Sequence, residues 1–144
     1  MIIVFCLSLA IVSLAVVFHY ECIRFLSQQI TRFRTKHRVN ILIGVLGALV
    51  AHCIEIWFFA FGYYFAANHT GIGSFDGNFN GSLLDCVYFS FTTYTTLGFG
   101  DIAPVGDIRF LVGMESLTGL VLITWTASFL FVEMQTYWQK SFKS

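Results

Sequence analysis

The chain has 144 residues, of which 57% are hydrophobic, 18% aromatic and only 11% charged, and its formal net charge is zero. A soluble domain usually carries about 25% charged residues and about 45–50% apolar ones. A soluble fold of this size encloses too little volume to hide so much apolar surface, so the composition excludes a soluble globular class and indicates an integral membrane protein. The four cysteines lack paired spacing and predict neither a disulfide framework nor a metal site.

The first apolar run extends from Ile2 to Phe18. As a helix rising ~1.5 Å per residue, it is near the lower length limit for crossing a bilayer. A secretory signal peptide is the alternative, but no Lys or Arg precedes the apolar core and no small-x-small cleavage site follows it. We therefore expect residues 1–20 to form a retained N-terminal transmembrane helix.

Residues 21–40 are rich in Arg and Lys and predict a basic linker. Its simpler interpretation is a topology signal in a solvated loop. The alternative is contact with anionic lipid headgroups, where each basic residue contributes about 1 kcal/mol near the membrane surface. The residues assigned to that contact are Arg32, Arg34, Lys36 and Arg38.

The second and third apolar runs are Ile41–Ala66 and Phe110–Val132. The second is long enough to cross a bilayer with some tilt. Aromatic residues crowd its C-terminal half between Trp57 and Tyr64, as expected where a helix reaches the membrane interface. We predict an outer helix over residues 41–66 and an inner helix over residues 107–135.

Two segments between these helices do not span the membrane. Residues 67–82 are rich in Gly and Asn and predict a flexible external turret. Leu83 to Thr96 is rich in aromatic and hydroxyl side chains. A helix of about 10–14 residues is too short to cross and is more often re-entrant or buried. We predict a re-entrant helix over residues 83–95.

The charges predict the orientation of the chain. Basic residues lie before the second run and after the third, whereas residues 68–107 contain acidic residues but no Lys or Arg. By the positive-inside rule, the linker 21–40 and the tail 136–144 are cytoplasmic, and the N-terminus and residues 68–107 are outside. Arg109 is the one dissenting charge. The prediction is a multi-pass protein of the plasma or cytoplasmic membrane.

The segment Thr96-Leu97-Gly98-Phe99-Gly100 has the features that an ion filter needs. A dehydrated cation requires rings of oxygen ligands along an axis, and backbone carbonyls supply them if consecutive residues turn them to one side. Gly98 and Gly100 adopt φ > 0 at little cost, whereas Leu97 and Phe99 are expected to point away from the axis. The Thr96 hydroxyl adds a lowest ring. The preceding helix contributes about half an elementary negative charge at its C-terminal end, which favours a cation.

The stretch from Thr95 to Asp101 resembles the potassium-channel signature Thr-Thr-Val-Gly-Tyr-Gly-Asp, with Leu in place of Val and Phe in place of Tyr. The resemblance covers Ile41 to Glu133 and implies a pore domain over residues 41–135, assembled as a homotetramer. It implies an all-α membrane protein with three transmembrane helices, a re-entrant pore helix and a filter loop. It also implies K⁺ as the permeant ion, with main-chain ligands from Thr96, Leu97, Gly98 and Phe99.

The chain departs from the family pattern around the filter. Phe99 lacks the phenol that, in the common version, bonds toward the pore helix, and Tyr88 and Phe89 replace a frequent pair of tryptophans. Thr92 lies near where some relatives carry a glutamate that contacts the filter aspartate. These departures bear on filter rigidity. The residues expected to support the filter are Thr92, Thr95 and Asp101.

Gly119 lies close to the position where many family members have a hinge glycine in the inner helix. A glycine within a helix costs roughly 1 kcal/mol relative to alanine and marks either bending or close packing, and both interpretations stay open. Helical spacing from Gly119 places Ile123, Ala127 and Phe131 on one stripe, which we predict to line the inner vestibule.

Three ionisable groups fall within the predicted spans. His52 and Glu55 are three residues apart, hence on one face of the outer helix, and Glu115 lies in the inner helix. Ionisable residues at such depths are functional candidates. One hypothesis is a pH-sensitive link that gates the pore. The other is a structural role for Glu115, satisfied by Ser90, Thr93 or a backbone carbonyl.

The predicted function is a subunit that conducts K⁺ passively. The alternatives are a weakly selective monovalent cation channel and a non-conducting regulatory membrane subunit. An enzyme is not expected, because no nucleophile–base pair or metal-ligand cluster is visible, and no nucleic-acid partner is predicted. The histidines are scattered along the chain at His19, His37, His52 and His69.

Overall fold

The computed structural model of the chain describes residues 1–32, 37–68 and 71–141. Its elements in chain order are α1 (Ile2–Arg32), α2 (His37–Asn68), β1 (Ser74–Gly77), α3 (Leu83–Tyr94), β2 (Ile102–Val105) and α4 (Ile108–Ser141). The helices α1, α2 and α4 are long and apolar enough to cross a membrane, whereas α3 has 12 residues. The predicted all-α class with three spanning helices and one short helix is confirmed, with a two-stranded sheet in addition.

The first helix is longer than the sequence suggested. It continues through residues 21–32, which we had assigned to the linker, because no glycine or proline interrupts the chain after Phe18. Its apolar part extends over Ile2–Gln29. The basic residues named for a lipid contact, or their side chains, lie outside the described residues.

Glycines let α1 and α2 pack closely in antiparallel orientation. A Cβ atom on Gly47 would lie 2.4 Å from Leu26, and one on Gly62 would lie 2.5 Å from Ile11. Small residues at such interfaces allow helix backbones to approach within a membrane. The start of α1 also contacts the start of α4, where the rings of Phe5 and Phe110 are 5.8 Å apart. The additional helix therefore packs against both long helices of the predicted pore domain.

The turret contains a short β-strand, which the expectation of a flexible loop did not include. Strand β1 pairs antiparallel with β2, with Gly77 opposite Ile102. Gly77 has φ +97°, and a Cβ atom there would lie 2.2 Å from the carbonyl oxygen of Asp101. The amide of Asn78 donates to the same oxygen at 2.9 Å. The sheet thus holds the chain in place directly after the predicted filter.

A capping box starts α3. The Ser82 hydroxyl accepts from the Asp85 amide at 3.1 Å, and the Asp85 carboxylate accepts from the amides of Asn80 and Ser82 at 2.9 and 3.3 Å. These bonds, that from Asn80 foremost, lower the pKa of Asp85. Because the free amides at a helix start need acceptors, this box fixes the beginning of α3.

Candidate functional site

The loop after α3 has an alternating backbone conformation. Thr96, Gly98 and Gly100 have φ of 59°, 52° and 79°, whereas Leu97 and Phe99 are not in this positive region. Alternation of this kind turns successive carbonyl groups toward one side, as a row of cation ligands requires. The sequence predicted the two glycines but not Thr96. A β-branched residue at positive φ is strained, by about 1–3 kcal/mol.

Backbone hydrogen bonds hold this loop against the end of α3. The amide of Thr96 donates to the Thr93 carbonyl at 2.9 Å, and that of Gly98 donates to the Thr92 carbonyl at 3.1 Å. The Thr92 hydroxyl is engaged separately, with the Phe89 carbonyl at 2.9 Å. Thr92 therefore contacts the loop through its main chain.

Thr95 closes α3. Its amide and its hydroxyl both donate to the Phe91 carbonyl, at 3.2 and 2.6 Å. With Thr95 as the C-cap, the negative end of the α3 dipole lies at the start of the loop.

Tyr88 braces the far end of the loop. Its hydroxyl donates to Asp101 Oδ2 at 2.9 Å, and this bond is the main reason that the pKa of Tyr88 is raised. The Tyr88 and Phe99 rings are stacked, with centroids 6.5 Å apart and an interplanar angle of 17°. Asp101 is thus partnered by Tyr88, which sequence reasoning noted only as a replacement for tryptophan.

The loop leaves a large apolar surface uncovered within one chain. The side chains of Leu97 and Phe99 are 64% and 66% exposed. A Cβ atom added to Gly98 or Gly100 would meet nothing within 4 Å. The glycines are therefore needed here for their backbone angles and not for lack of space.

The hinge candidate of α4 and its predicted pore-lining residues lie on different surfaces of the helix. Gly119 is buried against the end of α3, where a Cβ atom would lie 2.2 Å from the Tyr94 carbonyl oxygen. Ile123 and Phe131 are 38% and 55% exposed, and Ala127 between them is also exposed. Close packing explains Gly119 directly, whereas its role as a hinge stays a prediction.

Comparison with known proteins identifies the family. A family profile described as "Ion channel" matches residues 39–136, which is most of the chain from α2 to α4. The chain belongs to the potassium-channel pore-domain family of ion channels. It is therefore a channel protein and not an enzyme. Helix α1 lies outside the matched residues.

One curated relative is the potassium channel protein kcv of Paramecium bursaria Chlorella virus 1. It is 46% identical to the channel chain over 39 residues, which cover 22% of this chain and 42% of the relative. The match thus spans less than half of the relative's length. No solved structure gives a significant match.

Glu115 of the channel is buried between three helices. Ser90 of α3 and Tyr63 of α2 both donate to its carboxylate. Ser90 also lies 2.8 Å from the Ile56 carbonyl oxygen. Ser90 is among the partners that the sequence suggested, whereas Tyr63 was missed because it lies 52 positions away.

His52 and Glu55 of the channel are in contact, as their spacing predicted, with 3.0 Å between His52 Nδ1 and Glu55 Oε2. The expectation that the histidines are dispersed is wrong for His19, whose Nδ1 lies 2.8 Å from Glu55 Oε1. The antiparallel packing of α1 on α2 brings these groups together. Sequence spacing alone carries no sign of such a contact between helices. The side chain of His37 and residue His69 lie outside the description.

Proposed function

We propose that the chain conducts K⁺ passively as a homotetramer, with Thr96 to Gly100 as its selectivity filter. The observation that carries this proposal is the alternation of backbone angles at Thr96, Gly98 and Gly100 directly after a short helix. In this proposal the carbonyl oxygens of Thr96, Leu97, Gly98 and Phe99 replace the hydration shell of the ion. The Thr96 hydroxyl adds the innermost ring.

Exposed apolar side chains support the tetramer. Leu97 and Phe99 are mostly uncovered in one chain, although backbone hydrogen bonds hold the loop beside them at Thr96 and Gly98. In a fourfold assembly these side chains pack against the neighbouring subunits and hold the filter at a fixed radius. The exposed stripe Ile123, Ala127 and Phe131 then faces the inner vestibule.

The same assembly gives α3 its role. Four α3 helices would direct their C-terminal ends toward one axis, and each contributes about half an elementary negative charge. Non-helical backbone is tolerated at membrane depth only where protein buries it or where it lines a water-filled path. A central pore satisfies that condition for the loop from Thr96 to Gly100.

In the proposed topology the channel lies in the cell-surface membrane. Its N-terminus is outside the cell and its C-terminus is in the cytoplasm. The contact between Phe5 and Phe110 supports placing the start of α1 on the same side as residues 71–107. This side carries acidic residues, whereas most basic residues belong to the opposite side. Arg109, whose side chain donates to the Pro104 carbonyl at 2.9 Å, remains the exception.

Ion flux in liposomes tests the proposal. The purified chain is expected to release K⁺ when an ionophore clamps the voltage, to be blocked by Ba²⁺, and to give a bi-ionic reversal potential that favours K⁺ over Na⁺. Gly98→Ala is expected to abolish flux because alanine disfavours φ of 52°. Gly113→Ala in α4, where nothing lies within 4 Å of the added Cβ atom, is the matched control.

Three results would contradict the proposal. Equal permeability to Na⁺ would identify a weakly selective cation channel. No flux from a correctly assembled tetramer would identify a non-conducting regulatory subunit. A monomer in the bilayer would exclude a shared filter.

A further inference from the structure

Two histidines and a glutamate converge in the interior of the chain, beside the end of α3. The Glu55 carboxylate bridges the two imidazoles, with Oε1 at 2.8 Å from His19 Nδ1 and Oε2 at 3.0 Å from His52 Nδ1. One ligand atom from each of the three residues lies within 4.8 Å of the others. Two further side chains close the cluster. They are Tyr94, which donates to Glu55 Oε2, and Thr126, which lies against the Nε2 atoms of both histidines.

The cluster joins all four helices of the chain. His19 belongs to α1, His52 and Glu55 to α2, Tyr94 to α3 and Thr126 to α4. His19 and Glu55 are fully buried, and the side chain of His52 is 14% exposed. Ionisable side chains are rarely buried together unless an opposite charge pairs with them or a ligand binds to them.

We propose that His19, His52 and Glu55 form a binding site for a divalent transition-metal ion of the zinc type. Two imidazoles and one carboxylate are a donor set that zinc accepts. In a tetrahedral zinc site neighbouring ligand atoms are roughly 3.3 Å apart. One ligand atom of each residue already lies within 4.8 Å of the others, so side-chain rotations would bring them to this separation.

Tyr94 lies beside the three proposed ligands. Its hydroxyl lies 3.0 Å from His52 Nδ1 and donates to Glu55 Oε2. A water molecule hydrogen-bonded to this hydroxyl would complete four-coordination. No other group of three such ligands occurs in the part of the chain that the structure describes.

Thr126 provides the outer contacts that metal-bound histidines usually have. With the metal on both Nδ1 atoms, each Nε2 carries a hydrogen, and histidine ligands donate this hydrogen to a nearby oxygen. Thr126 Oγ1 lies 3.0 Å from His52 Nε2 and 3.3 Å from His19 Nε2. A hydroxyl has two acceptor lone pairs, one for each imidazole.

Two neutral imidazoles that both donate from Nδ1 to Glu55 leave both Nε2 atoms as acceptors, and Thr126 has one hydroxyl hydrogen to offer. A single protonated imidazole would supply the missing hydrogen. A divalent ion on both Nδ1 atoms fits the same contacts, because each Nε2 then carries a hydrogen toward Thr126. A bound ion would fasten α1 to the three helices of the pore domain. The site does not depend on which ion the channel conducts.

Metal analysis of the purified full chain in lipid nanodiscs tests the proposal. After treatment with a chelator, the chain is expected to take up one Zn²⁺ or Co²⁺ per subunit, with a thermal midpoint raised by several degrees. The variants His19→Gln, His52→Gln and Glu55→Gln are expected to lose both effects. His69→Gln and Cys53→Ser are the matched controls for adventitious histidine and thiol ligands and are expected to bind like the wild type.

Spectroscopy of the wild-type chain keeps the test decisive if a variant fails to fold. X-ray absorption at bound zinc is expected to show two imidazole ligands and no sulfur. Failure of the wild type to bind stoichiometric metal, a sulfur ligand, or full binding in both histidine variants would each overturn the proposal. Because the readout is metal content and coordination, a lack of K⁺ flux would leave this result unaffected.

Discussion

Gly119 of α4 lies directly against the carbonyl group of Tyr94, the last residue of α3. The gap is too small for a side chain, since an added Cβ atom would lie 2.2 Å from the carbonyl oxygen. This contact places α4 against the end of the short helix from which the loop Thr96 to Gly100 starts. It therefore couples the position of α4 to that of the loop.

Replacing Gly119 tests the meaning of this contact. Gly119→Ala is expected to displace the end of α3 and to lower stability by about 1–3 kcal/mol, as overpacking usually does. We expect a lower thermal midpoint together with reduced K⁺ flux, and no such change in Gly113→Ala. A variant with unchanged stability but altered open probability would instead favour the hinge.

Removal of the Tyr88 hydroxyl tests the role of its hydrogen bond to Asp101. Tyr88→Phe keeps the ring stacked near Phe99 but loses the bond to Asp101 Oδ2. We expect a lower K⁺/Na⁺ permeability ratio and faster loss of current, because the outer end of the loop is less restrained. Tyr64→Phe, on the exposed surface of α2, is the control. An unchanged ratio in Tyr88→Phe would show that the brace does not affect selectivity.

The hydrogen bond between Tyr88 and Asp101 predicts that selectivity changes at alkaline pH. The bond to Asp101 raises the pKa of Tyr88 above its ordinary value of 10.0. A raised pKa in the folded state means that the stabilising contribution is present below the ordinary pKa and is lost as pH rises through the raised value. Selectivity is therefore expected to be constant up to about pH 10 and to fall above it in the wild type. Tyr88→Phe is expected to lack this step, and an identical step in both proteins would contradict the assignment.

The capping box of α3 predicts that the stability of the chain falls at acid pH. Hydrogen bonds from Asn80 and Ser82 lower the pKa of Asp85 below its ordinary value of 3.8. Its contribution is therefore present above that value and is lost as pH falls through the lowered one. Ser82→Ala is expected to cost about 1 kcal/mol, measured as a lower midpoint in thermal unfolding at neutral pH. Ser74→Ala in β1 is the control, and equal effects of the two changes would argue against a role for the cap.

Substitutions of Glu115 distinguish a structural role of this residue from a gating role. Ser90 and Tyr63 satisfy its carboxylate, and Glu115→Gln retains an oxygen that accepts a hydrogen bond. We expect this variant to conduct with the pH profile of the wild type. Glu115→Leu leaves the buried Tyr63 hydroxyl without its acceptor, whereas Ser90 keeps the Ile56 carbonyl, and the variant is expected to destabilise the chain by about 1–3 kcal/mol. Loss of the pH response in Glu115→Gln would identify Glu115 as a gating group.

Hydropathy and the glycine pattern predicted most of the architecture. The spans and the short helix follow from local sequence, since apolar length is read directly from neighbouring residues. The alternation of Gly98 with Gly100 likewise predicted the positive φ angles of the loop after the short helix. Boundaries were less well predicted. Helix α1 continued to Arg32 because polar residues without glycine or proline remain helical, so a fall in hydropathy did not mark the end of the helix.

Contacts between distant segments were not predictable from local patterns. The pairing of Gly77 with Ile102 joins segments on either side of the pore loop. The meeting of His19 with Glu55 depends on how α1 packs on α2, with 36 positions between the two residues. Tyr88 was noticed for its position but not for its bond to Asp101. In each case tertiary packing, and not residue spacing, creates the contact.

The loop from Thr96 to Asp101 is bonded to the main chain of Thr92 and Thr93 and to the side chain of Tyr88 of the same polypeptide. In the proposed tetramer, each copy would carry its own set of these bonds. In concatenated channels that mix wild-type and Tyr88→Phe units, the defect should grow stepwise with the number of altered units.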